Sequence, residues 1–171
     1  MTAVVIYFSR AGENYLNGTK QRITKGNTAV LAEKISHALA IESYELLPKI
    51  AYSESYDEAV QQAEKEKQAS TRIDYEKLPL DLTQVDSIFL GFPNWWGTYP
   101  QIVATFLADQ EWKNKVIYPF CTHEGSAFGS SIQDLQAACS GAEIKTGLAV
   151  RGSKVDRSET AVRNWLLAYS N

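Results

Sequence analysis

The apolar residues of this chain fall into short blocks separated by longer amphipathic stretches. Ala3 to Phe8 is a continuous β-branched and aromatic run, the pattern of a strand covered on both faces. Asn27-Thr28 precedes a stretch in which Leu31, Ile35 and Ala38 or Leu39 recur at helical spacing. Ile41 to Leu47, closed by Pro48, predicts a weaker second strand, and the polar stretch from Ser55 to about Ala69 predicts a solvated helix. Ser87 to Phe92 predicts a third strand, stopped by Pro93. A helix follows from about Pro100 to Leu107, since proline is tolerated in a first turn. Lys115 to Phe120 reads as a fourth strand, Ser130 to Ala138 as a helix with Ile132 and Leu135 inward, and Glu143 to Val150 as an unbroken fifth strand. Val162, Trp165, Leu166 and Tyr169 form the apolar stripe of a closing helix.

Five strands alternating with five helices predict an α/β, doubly wound parallel sheet with helices on both faces, in one domain spanning residues 1–171. Right-handed crossovers bring the strand-to-helix loops to one end of such a sheet. Ligands bind there, where the strand order reverses. The loops after the first, third and fourth strands are therefore where chemistry is expected.

The first of these begins Ser9-Arg10-Ala11-Gly12 and ends Gly26-Asn27-Thr28 at a helix start. A helix N-terminus with small hydroxyls is an anion site, although Asn27 or Thr28 could equally be a cap. The second, Pro93-Asn94-Trp95-Trp96-Gly97-Thr98-Tyr99-Pro100, offers two flat indoles to a planar ligand, or a hydrophobic plug to the core. The third, Thr122-His123-Glu124-Gly125-Ser126-Ala127-Phe128-Gly129, combines glycines that permit close backbone approach with hydroxyls and N–H groups. His123 and Glu124 are the catalytic candidates there, as proton donors or acceptors. A structural imidazole is the plainer reading of His123, and a small buried hydrophobe that of Cys121. A phosphate cradle, an aromatic platform and a polar rim on one edge describe a mononucleotide with a large flat ring. The dinucleotide fingerprint and the Walker A pattern are both missing.

Composition narrows the class further. With 171 residues, 44% hydrophobic and 22% charged, the chain is an ordinary globular one, and its formal net charge of -3 gives no electrostatic ground for nucleic acid. Cys121 and Cys139 are too few for a disulfide framework and lack metal-ligand spacing with His37 or His123, so no metal site is expected. No basic leader precedes the first strand, and no apolar run approaches the ~18 residues of a membrane span. These features predict a cytoplasmic protein, monomer or homodimer, without membrane or nucleic-acid partners.

Three blocks together resemble the flavodoxin-like family of FMN proteins, in order and through nearly the whole chain. They are Tyr7-Phe8-Ser9-Arg10 with Gly26-Asn27-Thr28, Phe89 to Gly97, and Pro119 to Ser126. The resemblance implies the strand order 2-1-3-4-5 with FMN at the switch point, the arrangement of flavodoxin itself. It implies that Ser9, Arg10, Asn27 and Thr28 meet the FMN phosphate. Pro93, Asn94, Trp95, Trp96 and Gly97 would line the isoalloxazine, and Thr122, His123, Glu124, Gly125 and Ser126 would face its pyrimidine edge. Backbone groups of Asn94 and Trp95 would bond the ring near N5, and Glu124 would repel charge on the reduced flavin. The sequence departs from the family pattern at sixteen residues, Ala11 to Gly26, inserted between the halves of the phosphate motif. The insert is read as a solvated excursion rather than a lid.

Three functions fit. The first is an FMN-dependent oxidoreductase taking electrons from NAD(P)H to a quinone or similar acceptor, with Lys20, Arg22 and Lys25 of the insert available to dinucleotide phosphates. The second is a flavodoxin-type electron carrier served by a redox-protein donor, whose acidic docking face could draw on Glu54, Asp57 and Glu58. The third is a flavodoxin-like domain with structural or no flavin. The modest acidity favours the first over the second.

Overall fold

The computed structural model describes residues 2–169. Strand β1 (Ala3–Tyr7) buries Val4, Val5 and Ile6 on both of its faces, as its unbroken apolar run requires. A hairpin follows at once, β2 (Gly12–Leu16) antiparallel to β3 (Thr19–Ile23). Helix α1 (Asn27–Leu39), strand β4 (Ser43–Glu45), helix α2 (Tyr56–Ala69) and strand β5 (Ser87–Pro93) come next. Helix α3 (Gln101–Ala108), strand β6 (Val116–His123) and helix α4 (Ser131–Ala138) follow, then strands β7 (Glu143–Ile144) and β8 (Leu148–Arg151) and helix α5 (Glu159–Leu166).

The main sheet is parallel in the order β4-β1-β5-β6, with β7 and β8 both paired to the outer side of β6. Counting β7 and β8 as one interrupted strand, this is the expected order 2-1-3-4-5. One face packs Ile6, Phe8, Ile88, Leu90 and Phe92 against Ile102 and Phe106 of α3 and Leu135 of α4. The other packs Val5, Phe89 and Phe120 against Leu31 and Ile35 of α1 and Val162 and Leu166 of α5. On α1 the inward residue of the last turn is Leu39, while Ala38 is exposed.

Three expectations need correction. The fifth strand is broken at residues 145–147, because Gly147 passes under the Phe128 ring, where a Cβ would stand 2.4 Å from Phe128 Cζ. Helix α2 is not simply solvated: Ala59, Ala63 and Glu66 are buried along one stripe. The insert is an ordered hairpin turned at Asn17-Gly18, both at positive φ (50° and 81°), the chemistry of a tight hairpin turn.

Candidate functional site

Strand register brings the three loops together. Pro93 pairs with Thr122 at the carboxyl ends of β5 and β6, and the Asn94 N–H donates to Thr122 O at 2.8 Å. Asn94 then ties the loops a second time, its Nδ2 donating to Ala127 O (2.7 Å) and its Oδ1 accepting from Gly97 N–H (3.0 Å). The Trp95 N–H is taken up by Thr98 O across a tight turn, in which Trp96 (φ 56°) and Gly97 (φ 83°) both take left-handed backbone. For a tryptophan this conformation is costly, and such strain collects at functional loops. The N–H groups of Asn94 and Trp95 are thus committed within the protein, so the expected backbone contact near N5 falls to their carbonyls.

The two indoles have different jobs. Trp95 lies half-buried with its ring edge-on to Phe8 (5.2 Å) and Tyr52 (5.1 Å), so it plugs the core at the floor of the site. Trp96 is 45% exposed and is pinned to α2, its Nε1 donating to Val60 O at 3.1 Å while Lys67 Nζ donates to its carbonyl. The Tyr52 hydroxyl donates to the buried Glu66 carboxylate at 2.6 Å, which fixes the ring that supports Trp95.

At the other end, the hairpin returns the chain so that Gly26 lies against Ser9. A Cβ on Gly26 would sit 2.1 Å from Ser9 Oγ and 2.8 Å from Arg10 O, so the two motif halves close into one loop despite the insert. Ser9 Oγ accepts from Ala29 N–H (3.0 Å), and Val30 N–H is bonded to Gly26 O. Among the described residues, the preceding amides of Asn27 and Thr28 are left at the positive end of α1 for an anion. The Thr28 hydroxyl is buried and shares a 2.8 Å hydrogen bond with Thr122 Oγ1.

Arg10 does not point its charge at that anion position. Its guanidinium donates to the carbonyls of Glu13, Ser53 and Ser55 (2.6–3.1 Å), and burial lowers its pKa. It staples the hairpin to the start of α2, where Glu13 Oε1 accepts from Tyr56 N–H at 3.0 Å. The basic residues of the insert are likewise paired, Lys20 with Asp57, Arg22 with Glu54 and Lys25 with Glu33. The hairpin therefore neutralises most of the acidic group Glu54, Asp57 and Glu58, and Glu58 itself accepts from Ser53 Oγ. Neither a free cationic clamp for dinucleotide phosphates nor a bare acidic docking face is present among these described residues.

In the third loop, His123 Nδ1 accepts from Gly125 N–H at 2.9 Å, which leaves the ring proton on Nε2. Partial burial, then the nearby Arg151 charge, lowers the His123 pKa, with Glu124 opposing, so the imidazole is neutral at pH 7. Glu124 accepts from Ser153 N–H (2.7 Å) and, at 3.4 Å, from Asn17 N–H at the hairpin tip. It joins the third loop to the segment after β8 and to the hairpin. Cys121 and Cys139 are free and buried, and burial pushes both thiols up to about 12.

Between these walls lies a cleft of about 340 Å³, within the roughly 300–1,000 Å³ of small-molecule sites. Of the predicted residues, Arg10, Asn27, Pro93, Asn94, Trp95, Trp96, Thr122, His123 and Glu124 line it. Ser9 and Thr28 stand behind the lining as supports of α1, Gly97 serves the turn, and Gly125 and Ser126 lie on the exposed rim. The rest of the lining was missed: Asn14 and Tyr15 of the hairpin, Tyr56, Ala59, Val60 and Ala63 of α2, and Gly152. A Cβ on Gly152 would fall 2.4 Å from Asn27 Nδ2, so this backbone seats the asparagine. The signals available were the Asn17-Gly18 hairpin turn and the Tyr56-Ala59-Val60-Ala63 spacing within a polar helix.

A parallel, doubly wound sheet with its cleft at the switch point and an open helix N-terminus at one end of that cleft defines a mononucleotide-binding class of α/β protein. More particularly, the chain belongs to the flavodoxin family, whose model, described as flavodoxin, matches residues 21–168. No curated protein is similar to the chain at a significant level. Among solved structures, a protein of Bacteroides eggerthii provisionally described as a flavoprotein is similar at a TM-score of 0.77 and 24% identity, covering 99% of this chain and 98% of that one. A flavoprotein of Lactobacillus acidophilus, solved in complex with FMN, is similar at 0.62 and 18% identity, covering 91% and 97%. Oxidised flavodoxin 2 of Bacillus cereus is similar at 0.53 and 14% identity, covering 98% and 99%.

Proposed function

We propose that the chain binds one FMN in this cleft and acts as an oxidoreductase, passing electrons from NAD(P)H to a quinone or similar acceptor. The observation that carries the FMN reading is the closed Ser9–Gly26 contact. It rebuilds an anion loop at the N-terminus of α1 across the insert, at one end of a cleft whose other end is aromatic. The donors fit the cofactor: the Asn27 and Thr28 amides suit its phosphate, and the Trp96 face suits its ring. The family membership and the FMN-bound relative support the same reading.

FMN supplies the electron chemistry when bound, and the chain supplies placement. The positive end of α1 holds the phosphate. Trp96, braced by Val60 and Lys67, covers the ring against water, and Trp95 keeps the floor rigid. Neutral His123, with its proton on Nε2, offers a hydrogen-bond donor from the third loop. Glu124 holds the loop, the hairpin and Gly152 in one arrangement and is a positioning group rather than an acid. The cancelled acidic group at Glu54 and Asp57 supports an enzyme over a carrier that docks by charge. Among the described residues no helix is long and apolar enough to cross a membrane. Two unpaired, buried thiols suit a reducing compartment, and we place the protein in the cytoplasm.

Anaerobic stopped-flow mixing of the FMN-loaded protein with NADH or NADPH tests the activity. The reading expects saturable bleaching of the flavin with at least one of them. Slow, non-saturating bleaching with both replaces the enzyme by the carrier.

A further inference from the structure

We infer that the hairpin β2–β3 and the first turns of α2 make the outer part of this same cleft an aromatic subsite next to the flavin position, one that receives a flat, uncharged quinone-type acceptor, with Tyr15 as its outer wall. The inference rests on the redox reading above and assigns a task to the insert that the cofactor does not need.

Tyr56, Ala59, Val60 and Ala63 recur at helical spacing and turn a single stripe of α2 toward the cleft. Tyr56 heads this stripe, and the Tyr15 ring lies beside it at 5.8 Å and 31°. Ala59 and Ala63 are small, which leaves a slot rather than a filled wall. The anion loop is complete without the hairpin, since Gly26 meets Ser9 directly. Yet three elements secure the hairpin in place: Arg10 on the carbonyls of Ser53 and Ser55, Glu13 on Tyr56 N–H, and the tip amide of Asn17 toward Glu124.

This framework presents one half-exposed aromatic side chain to the cleft. Tyr15 lines the cleft, is 43% exposed, and among the described residues has no hydrogen bond to its hydroxyl, although its backbone is paired with Lys20. A fixed backbone carrying a ring with one exposed face and an available hydroxyl suits a stacking wall that also donates to a carbonyl oxygen. The local charge is balanced, because Lys20, 6.0 Å above the Tyr56 ring, is paired with Asp57. The subsite therefore favours a neutral planar acceptor over an anionic one. The overall step balances as NAD(P)H + H⁺ + quinone → NAD(P)⁺ + hydroquinone. The hydride supplies two electrons and one proton, solvent supplies the second proton, and both quinone C=O groups become C–OH.

The test separates this subsite from the electron donor. The FMN-loaded full chain is photoreduced, so that no nicotinamide is required, and mixed anaerobically with menadione while the return of flavin absorbance is followed. In the parent, the rate of return saturates with menadione. Tyr15→Ala raises the half-saturating concentration about fivefold, the scale of one aromatic contact, with the limiting rate and the FMN Kd both within about twofold. Tyr15→Phe keeps the stacking and stays closer to the parent than Tyr15→Ala does. A strictly linear dependence in the parent, or an unchanged half-saturation in Tyr15→Ala, overturns the inference. A matching loss of FMN affinity in Tyr15→Ala also overturns it and assigns the ring to the cofactor. Saturable return in a parent that neither NADH nor NADPH bleaches upholds the subsite and refutes the nicotinamide donor.

Discussion

Replacing Gly26 by alanine adds one methyl group where the two halves of the anion loop meet. Gly26 has φ −62°, an ordinary value, so the backbone alone would accept alanine. By itself, reduced unfolded-state freedom would stabilise the variant by about 0.4–1 kcal/mol. The space refuses it. The new Cβ would lie 2.1 Å from Ser9 Oγ and 2.8 Å from the Arg10 carbonyl oxygen. Ser9 can rotate away only by giving up its bond to Ala29 N–H at this helix start, which costs about 1 kcal/mol. The Arg10 carbonyl is backbone and must move with its loop, and overpacking of this kind costs about 1–3 kcal/mol. The net expectation is a loss of about 1–3 kcal/mol, read as a lower urea midpoint of the apo-protein. FMN affinity, measured by quenching of flavin fluorescence, should fall at the same time by at least about tenfold, because the helix N-terminus is displaced from the phosphate. An alanine variant as stable as the parent and binding FMN equally well would refute the closure of the loop across the insert.

The two tryptophans should separate cleanly. Trp96→Ala weakens FMN binding by about 1–3 kcal/mol with the urea midpoint nearly unchanged, whereas Trp95→Ala, which empties the contact with Phe8 and Tyr52, costs the apo-fold about 3 kcal/mol. Equal effects of both on flavin affinity alone would remove the floor role of Trp95. The lowered pKa of His123 makes the folded state bind this proton less readily than the unfolded chain. Its stabilising contribution is complete above the ordinary imidazole value of 6.5 and is lost as the pH falls from there through the lower folded pKa. NMR titration should give a midpoint below 6.5, and His123→Gln should flatten the loss of stability between about pH 7 and 5. Glu13→Ala removes the acceptor of Tyr56 N–H, so hydrogen exchange should speed up in the hairpin and the first turn of α2 but not in α1.

The layers were legible because the central strands β1, β5 and β6 are largely apolar and helices α1, α4 and α5 show inward residues at helical spacing, whereas the strand order followed from the family resemblance. The break in the fifth strand was not, because it depends on Phe128, from a distant loop, covering Gly147. Helix α2 was misjudged since its buried stripe consists mainly of alanines, which carry little hydrophobic signal beside so many Glu, Gln and Lys. The hairpin has mainly polar strands without alternation and is tied down by Arg10 and Glu13 reaching across to residues 53–56, a contact that no local pattern encodes. For the site, the residue types in the three loops picked out residues that the structure brings together around one cleft. Their individual tasks were legible only in part, because Arg10, Asn94 and Glu124 use their polar groups to hold the loops together. A sequence shows that such groups are present, and only the packing shows which of them are already satisfied.

The central claim is that the Ser9–Gly26 loop at the N-terminus of α1 holds the phosphate of a flavin mononucleotide. Parallel titration of the apo-protein with FMN and with riboflavin, which shares the ring and lacks the phosphate, tests it most directly. Charge-assisted hydrogen bonds from open helix amides are each worth about 1.5–3 kcal/mol, so FMN should bind more tightly than riboflavin by at least about tenfold, with one FMN per chain. Gly26→Ala should erase most of that difference. Equal affinity for the two flavins, or no binding of either, would contradict the account.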